Sequence, residues 1–313
     1  MPKIAMIFAG QGAQYVGMGK ELAESYPVAR ETFAAANRVL GFDIERLCFE
    51  GPEEELNRTE NTQPAILTVS VAALRVLQQA GMVADVAAGL SLGEYSALVA
   101  ADSLPFETAV RLVRKRGRFM QEAVPPGRGK MAAIIGLERD QVHVLCEKCR
   151  ETGIIEPANY NCPGQIVIAG ETAAVEKAME LAPGMGAKKA VLLPVSAPFH
   201  CSLLHPAGVK LAAELADITV GGPRLPVLAN VTADYVTTGE AVKDNLIKQV
   251  SSPVRWEECV RRMLADGVST FIEIGPGKTL TGFVRKVSKD AVTYNAGTPE
   301  TLEKVLAYWK EVC

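Results

Sequence analysis

The feature that most constrains the fold is an alternation of short apolar segments, typical of buried strands, with longer segments of helical periodicity. The predicted strands are Ile4–Phe8, Val86–Ala88, Met131–Ile135, Gln165–Gly170, Lys189–Leu193, Val227–Ala229 and Thr270–Ile274. The predicted helices include Gln63–Gln79, Gly93–Ala100, Pro105–Ala123, Ala173–Ala182, Leu203–Leu215 and Pro253–Asp266. This alternation predicts an α/β fold with a mainly parallel sheet.

One region departs from the simple alternation. From Met131 to Val195 the order is strand, helix, strand, strand, helix, strand, which is typical of a ferredoxin-like unit. The segment AVPPGRGK precedes this region, and Pro194 and Pro198 follow it. We therefore predict a discontinuous large domain over residues 1–126 and 197–313, with a small ferredoxin-like domain over residues 127–196 inserted into it.

The composition excludes several classes of function. The chain has 313 residues and a formal net charge of −3, so nothing favours binding to nucleic acid or to an anionic membrane. It lacks an apolar run of about 18 residues, the length that crosses a bilayer, and its glycine-broken start does not resemble a signal peptide. Seven cysteines without framework spacing favour a reducing, cytoplasmic setting. We expect a monomer.

Three residues, His143, Cys146 and Cys149, have a spacing that resembles a metal site. A zinc site needs a fourth ligand, and neither a nearby histidine nor a second cysteine pair supplies one. Because the three residues fall within a helical pattern, we interpret them as ordinary helix residues, with the cysteines acting as small buried hydrophobes.

A serine lies between two glycines, in Gly89-Leu90-Ser91-Leu92-Gly93, after a predicted strand and before a predicted helix. In this context the motif predicts a tight strand-to-helix turn with the serine hydroxyl exposed at the sheet edge. The amide of Leu92, at the start of the helix, can donate to an oxyanion. A structural turn uses the same residue types, so both interpretations stay open.

A serine nucleophile needs a general base, and the chain has three histidines. His143 lies in the middle of a predicted helix. His205 lies within another, directly before Pro206. His200 precedes that helix, in a segment that we predict to be an exposed loop. His200 is therefore the best candidate for the base, and a structural role is the alternative.

The helix predicted at Pro105–Ala123 has an arginine on its apolar face. At about 100° per residue, Arg116 falls among the apolar side chains. The other basic residues considered share the opposite arc: Arg111, Arg114, Lys115 and Arg118. Because an unpaired buried guanidinium is costly, Arg116 is predicted to pair with a structural carboxylate or to bind a carboxylate of the substrate.

Several segments together resemble the malonyl-CoA:acyl carrier protein transacylases, which are acyltransferases of fatty-acid and polyketide synthesis. The segments are FAGQGAQYVGMG (8–19), NTQPAILTVSVA (61–72), GLSLGEYSALVA (89–100), RGRFMQEA (116–123), IEPANYNCPGQIVIAG (155–170), VSAPFHCSLL (195–204) and FIEIGPGKTL (271–280). They occur in family order and cover nearly the whole chain. The resemblance implies that the large domain is α/β-hydrolase-like.

The resemblance also implies the catalytic roles. Ser91 would be the nucleophile, and His200 would be its base and then the acid for the leaving thiol. The main-chain carbonyl of Gln249 would orient His200. The backbone amides of Gln11 and Leu92 would form the oxyanion hole.

Further residues are assigned to substrate binding by the same resemblance. Arg116 would hold the free carboxylate of the malonyl group, and Gln11, Asn159 and Phe199 would also contact the substrate. We interpret Asn161 and Gln165 as structural. One departure from the family is Leu90, where a histidine is usual, and we expect this change to tune the site rather than abolish it.

The implied reaction moves a malonyl group from malonyl-CoA to the phosphopantetheine thiol of an acyl carrier protein through a serine ester, without a metal or redox cofactor. The acidic carrier would be steered by basic residues, for which ordinary surface solubility is the alternative role: Arg111, Arg114, Lys115, Lys188 and Lys189. A serine esterase or thioesterase, or a non-catalytic module that docks carrier proteins, are the alternative functions. Fatty-acid and polyketide pathways, and other dicarboxylic donors, are also compatible with the sequence.

Overall fold

The structure is a computed structural model that describes residues 2–195 and 197–312. Its strands form one sheet of six and one of four. The strands are β1 (Lys3–Phe8), β2 (Val86–Gly89), β3 (Gly129–Ile135), β4 (Ile155–Cys162), β5 (Gln165–Glu171), β6 (Lys189–Leu192), β7 (Val227–Leu228), β8 (Tyr235–Val236), β9 (Val268–Ile274) and β10 (Val292–Ala296).

Helices lie between most of these strands. They are α1 (Lys20–Ser25), α2 (Pro27–Leu40), α3 (Ile44–Glu50), α4 (Glu53–Leu56), α5 (Thr59–Gln79), α6 (Gly93–Ala100), α7 (Phe106–Glu122), α8 (Arg139–Cys149), α9 (Thr172–Leu181), α10 (His205–Ala216), α11 (Gly239–Gln249), α12 (Trp256–Ala265), α13 (Thr279–Val287) and α14 (Pro299–Val312). Within residues 2–195 and 197–312, no helix is both long enough and apolar enough to span a bilayer.

The six-stranded sheet has the order β10-β9-β1-β2-β7-β8. Its pairs are parallel, except for the antiparallel pair β7–β8. Phe8, the last residue of β1, is in register with Gly89 of β2 and with Ile274 of β9. The carboxyl ends of these three strands therefore meet at one edge of the sheet, where ligands bind in folds of this kind.

The four-stranded sheet has the order β4-β5-β3-β6, and all its pairs are antiparallel. Helices α8 and α9 pack on it around their own core cluster. The predicted ferredoxin-like order of elements is confirmed, as is the α/β fold with a mainly parallel sheet. The domain boundaries stay a prediction, and their residues 1, 196 and 313 lie outside the described part of the chain.

The main core lies where α5 and α7 pack together beside the parallel sheet. Strands β1 and β2 are buried along almost their whole length because neighbouring elements cover both faces. Helix α5 is also buried nearly throughout, including polar residues such as Gln63. A buried amide in such a helix requires a hydrogen-bond partner, and the Gln63 oxygen accepts from Arg116 of α7.

Several elements differ from the sequence predictions at their ends. Helix α5 begins at Thr59 rather than Gln63, and α12 begins at Trp256 rather than Pro253. Helix α10 begins at His205 rather than Leu203, because a 3₁₀ turn at Ser202–Leu204 precedes it. Strands β8 and β10 were not predicted, since β8 has two residues, β10 is mostly half-buried, and both lie at edges of the sheet, where the apolar signal is weak.

The first prediction concerns the close packing of α6 against β1. A methyl group on Gly93 would lie 2.0 Å from the main-chain oxygen of Phe8. Gly93→Ala is therefore expected to lower the free energy of unfolding by about 1–3 kcal/mol, because helix and strand must separate. Urea unfolding measures the change. The control Gly282→Ala, in an open position of α13, should be neutral or stabilising by up to about 1 kcal/mol; equal losses in both variants would contradict the packing argument.

Candidate active site

Ser91 occupies the turn between β2 and α6 in a left-handed backbone conformation, with φ of 54°. A left-handed serine is uncommon, and such conformations are held by surrounding contacts. The residue is only 8% exposed. The tight turn is confirmed, but the expected exposure of the hydroxyl is wrong, because the side chain lies inside a cavity.

Asn230, just after β7, holds this turn in place. Its Oδ1 accepts a hydrogen bond from the amide of Ser91 at 2.6 Å, and its Nδ2 donates to the carbonyl of Gly89 at 2.7 Å. Asn230 was not among the residues predicted from the sequence. The available signal was its position at the carboxyl end of a predicted strand, where site residues of parallel sheets collect.

His200 lies on a loop, as predicted, and also has a left-handed φ, of 61°. It is 3% exposed, so the prediction of an exposed loop is wrong for this residue. Its Nε2 lies 2.7 Å from Oγ of Ser91, and its Nδ1 lies 2.8 Å from the main-chain oxygen of Gln249. Because a carbonyl only accepts, the neutral ring carries its proton on Nδ1, and Nε2 is free to accept the serine proton.

The surroundings of His200 keep its imidazole neutral. Burial, and secondly the positive charge of Arg116, lower the pKa of His200 to about 3, although backbone hydrogen bonds to Gln249 and Ser252 oppose the shift. A neutral imidazole beside a serine hydroxyl is the form required of a general base.

Arg116 is 1% exposed and points into the same cluster. Its Nη1 donates to Oε1 of Gln63 at 2.8 Å, and its Nη2 donates to Oε1 of Gln249 at 2.9 Å and to Oγ of Ser91 at 3.1 Å. In the described part of the chain its Nε has no acceptor, and no carboxylate lies within ion-pair distance of it. The structure thus favours an external anion over the structural carboxylate considered from the sequence. Burial lowers the pKa of Arg116.

A second layer of contacts lies behind Arg116. Nε2 of Gln249 donates to Oε2 of Glu94 at 2.7 Å, and the same carboxylate oxygen accepts from the amide of Asn230 at 2.9 Å. Burial raises the pKa of Glu94 to about 7, while these donors and Arg116 oppose the shift. Sequence analysis did not identify Glu94 or Gln63, although each is a polar residue in a predicted helix rich in apolar side chains.

The cavity beside Ser91 has a volume of about 210 Å³. Since sites for drug-sized ligands occupy roughly 300–1,000 Å³, this one suits a short acyl group. Gln11 and Leu92 line it, and neither main-chain amide has a protein acceptor within residues 2–195 and 197–312. Both amides are thus available to a ligand. The side chain of Gln11 donates to Oγ1 of Thr59 at 3.3 Å.

Asn159 and Asn161, on β4, also line the cavity. Oδ1 of Asn161 is buried without a partner among the described residues, so a purely structural role leaves this oxygen unexplained. Gln165, by contrast, lies at the start of β5 and accepts a hydrogen bond from Lys286 at 3.0 Å. Leu90 and Phe199 also line the cavity near the serine.

The remaining histidines lie outside the site. Nε2 of His143 is 3.0 Å from the hydroxyl of Tyr160, and His205 is exposed at the start of α10. Cys146 and Cys149 are buried in the core cluster of the four-stranded sheet. Their interpretation as packing residues of a helix is confirmed.

A serine on a strand-to-helix turn of a parallel sheet, paired with a histidine from another loop, defines a class of enzymes that form covalent acyl intermediates. Comparison with known proteins places the chain more narrowly. Residues 5–302 match the family of acyl transferase domains. The chain is 49% identical over 312 residues to the malonyl CoA-acyl carrier protein transacylase of Bacillus subtilis (strain 168), covering 99% of this chain and 98% of the relative.

Solved structures agree with this match. The acyl carrier protein S-malonyltransferase of Vibrio cholerae is 48% identical, with a TM-score of 0.94, and the match covers 97% of this chain and 99% of that one. A malonyl-transacylase solved in complex with its type II PKS acyl carrier protein is 45% identical, with a TM-score of 0.96 and coverage of 98% and 99%. The chain therefore belongs to the acyl transferase family and, within it, to the malonyl CoA-acyl carrier protein transacylases.

The second prediction concerns the charge of His200. An imidazole is neutral above its pKa, so a ring with a pKa of about 3 stays neutral between pH 7.5 and 5, whereas a histidine with the ordinary pKa of about 6.5 becomes mostly protonated over that interval. Nitrogen-15 NMR of the imidazole rings, with His200→Ala to assign the signal, measures the titration. A His200 signal that titrates near pH 6.5 would contradict the neutral state derived from burial and Arg116.

Proposed function

We propose that this chain transfers a malonyl group from malonyl-CoA to the phosphopantetheine thiol of an acyl carrier protein. The observation that carries the proposal is Arg116, a buried guanidinium without a carboxylate partner in the described residues, 3.1 Å from the serine oxygen. A malonyl group esterified to that oxygen brings its own carboxylate to the guanidinium. The names of the relatives support this substrate and this partner.

In the first half-reaction, Oγ of Ser91 attacks the thioester carbon of malonyl-CoA, and its proton passes to Nε2 of His200. The carbonyl of Gln249 holds Nδ1–H and thereby stabilises the imidazolium. The amides of Gln11 and Leu92 donate to the oxyanion of the tetrahedral intermediate. The carbon–sulfur bond then breaks, and His200 returns the proton to the leaving thiolate of CoA.

The second half-reaction runs the same steps in reverse order. His200 takes the proton of the carrier thiol, whose sulfur attacks the serine ester, and the ester oxygen leaves with that proton. The chain itself supplies the nucleophile, the base and the oxyanion donors, so the proposal includes no metal and no prosthetic group. One chain holds all these groups, and we propose that a monomer is active.

Three further features belong to the proposal. We propose that the cleft separates a large domain (1–126 and 197–313) from a small one (127–196), because Asn159 reaches it from the antiparallel sheet and Ser91 from the parallel sheet. We also propose a reducing, cytoplasmic setting, which is supported by six buried free thiols in the described chain. The residues proposed to steer the acidic carrier are Arg111, Arg114, Lys115, Lys188 and Lys189.

The third prediction tests the serine ester. Incubation with malonyl-CoA should add one malonyl group to the intact protein, and subsequent addition of phosphopantetheinylated carrier protein should remove it and load the carrier. Intact-mass spectrometry follows both proteins, with Ser91→Ala as the variant that is not labelled. An unlabelled wild-type enzyme would overturn the proposal in favour of a docking module, whereas ester loss at the same rate without carrier would favour a thioesterase.

The fourth prediction tests the guanidinium. Arg116→Ala should slow malonyl loading of Ser91 by about 100-fold or more, because the substrate carboxylate loses a buried charged partner worth several kcal/mol. Acetyl loading should change much less, since acetyl has no carboxylate. Quenched-flow mass spectrometry with both acyl-CoAs measures the two rates.

The matched control is Arg118→Ala, in the same helix, which removes an exposed pair with Glu122 and a cation–π contact with Phe119, both of small energetic value at the surface. It should leave the malonyl-to-acetyl ratio unchanged. An Arg116→Ala enzyme that keeps the wild-type ratio would show that the guanidinium does not select the substrate.

A further inference from the structure

We propose that Glu94 is a positioning residue for substrate selection, which sets the orientation of Arg116 through the side-chain amide of Gln249. This inference rests on the proposed function, because it assigns a role to Glu94 in choosing a dicarboxylic acyl group. Glu94 does not line the cavity, and neither does Gln249. The effect of Glu94 on the substrate must therefore pass through other side chains.

The contacts form a chain of three groups, a guanidinium, an amide and a carboxylate. Nη2 of Arg116 donates to Oε1 of Gln249 at 2.9 Å, and Nε2 of Gln249 donates to Oε2 of Glu94 at 2.7 Å. All three side chains are at most 3% exposed. The amide thus lies between the guanidinium and the carboxyl group, with its oxygen toward Arg116 and its nitrogen toward Glu94.

Glu94 is the nearer of two acceptors that set which way the amide points; the other is the main-chain oxygen of Ser91. Oε2 of Glu94 accepts from two N–H groups, the Gln249 side chain and the Asn230 main chain, so the amide must present its nitrogen to Glu94. Its oxygen is then left for Arg116. With the amide turned over, two N–H donors would face each other at Arg116 and the guanidinium would lose an acceptor. Glu94, with the main-chain oxygen of Ser91, therefore orients the amide that holds the guanidinium in position to bind the substrate carboxylate.

Gln249 also links this chain of contacts to the base. Its main-chain oxygen accepts from Nδ1 of His200 at 2.8 Å, and its Nε2 also lies 3.1 Å from the main-chain oxygen of Ser91. Gln249 thus contacts His200 through its main chain and Arg116 through its side chain. The two contacts can therefore be tested separately. Changing the side chain of Gln249 removes the link to Glu94 while the main-chain acceptor of His200 is kept.

The experiment compares kcat/KM for malonyl and acetyl loading in the wild type and in Glu94→Gln. A glutamine at position 94 can present its own N–H to Gln249 and so permit the turned-over amide. The malonyl-to-acetyl ratio is expected to fall by about tenfold, whereas general damage to the fold would lower both rates alike. A ratio equal to that of the wild type would overturn the inference.

The single variant Gln249→Met covers the case in which Glu94→Gln folds poorly, and a double-mutant cycle of the two tests whether Glu94 acts through Gln249. Gln249→Met keeps the main-chain oxygen and removes the amide, and it is expected to lower the same ratio. If Glu94 acts through Gln249, adding Glu94→Gln to Gln249→Met should not lower the ratio further. The double variant also avoids leaving a buried carboxylate without its donor. Additive losses in the double variant would overturn the proposed route.

The control is Glu273→Gln, a second buried carboxyl, which accepts from the amides of Leu280 and Thr281 at the start of α13. It should affect both acyl groups equally. Failure of the inference is distinguishable from failure of the proposed function: a wild-type enzyme that does not prefer malonyl refutes the function, whereas a selective wild type with unchanged variants refutes only the role of Glu94.

Discussion

The burial of the Arg116 guanidinium is the constraint on which the rest of the site depends. A cation removed from water needs acceptors, and this one is held by two glutamine side chains and the serine oxygen rather than by a carboxylate within ion-pair distance. Amides solvate the charge without neutralising it. Helices α5 and α7 pack together and bring Gln63 to Arg116. The packing of the core therefore also positions the charged group of the site.

The reacting pair is also held in a conformation that the isolated chain disfavours. Ser91 and His200 both have left-handed backbones, and such strain persists where neighbouring groups fix it. Asn230 clamps both sides of the serine turn, and the carbonyl of Gln249 orients the imidazole. Asn230 and the Gln249 carbonyl therefore help to set the relative positions of Ser91 and His200.

Local sequence patterns predicted most of the strands, the serine turn and the anomalous position of Arg116, because each depends on residues close together in the chain. They did not identify Asn230 or Glu94, whose contacts join segments 136 residues apart. Asparagine and glutamate are common at surfaces, and only the fold shows that these two are buried. The exposure of His200 was misjudged for the same reason, since the elements that cover it lie far away in the sequence.

The charge of Arg116 also bears on the base. Burial first, and Arg116 second, hold the pKa of His200 low. Under the proposed function, a carboxylate seated against Arg116 opposes the second effect, so the imidazole becomes more basic when a dicarboxylic acyl group is bound. An acetyl group leaves the positive charge uncompensated beside the imidazole that must accept a proton. Selection between malonyl and acetyl groups then acts on the chemical step as well as on binding. A difference in the chemical step contributes to kcat.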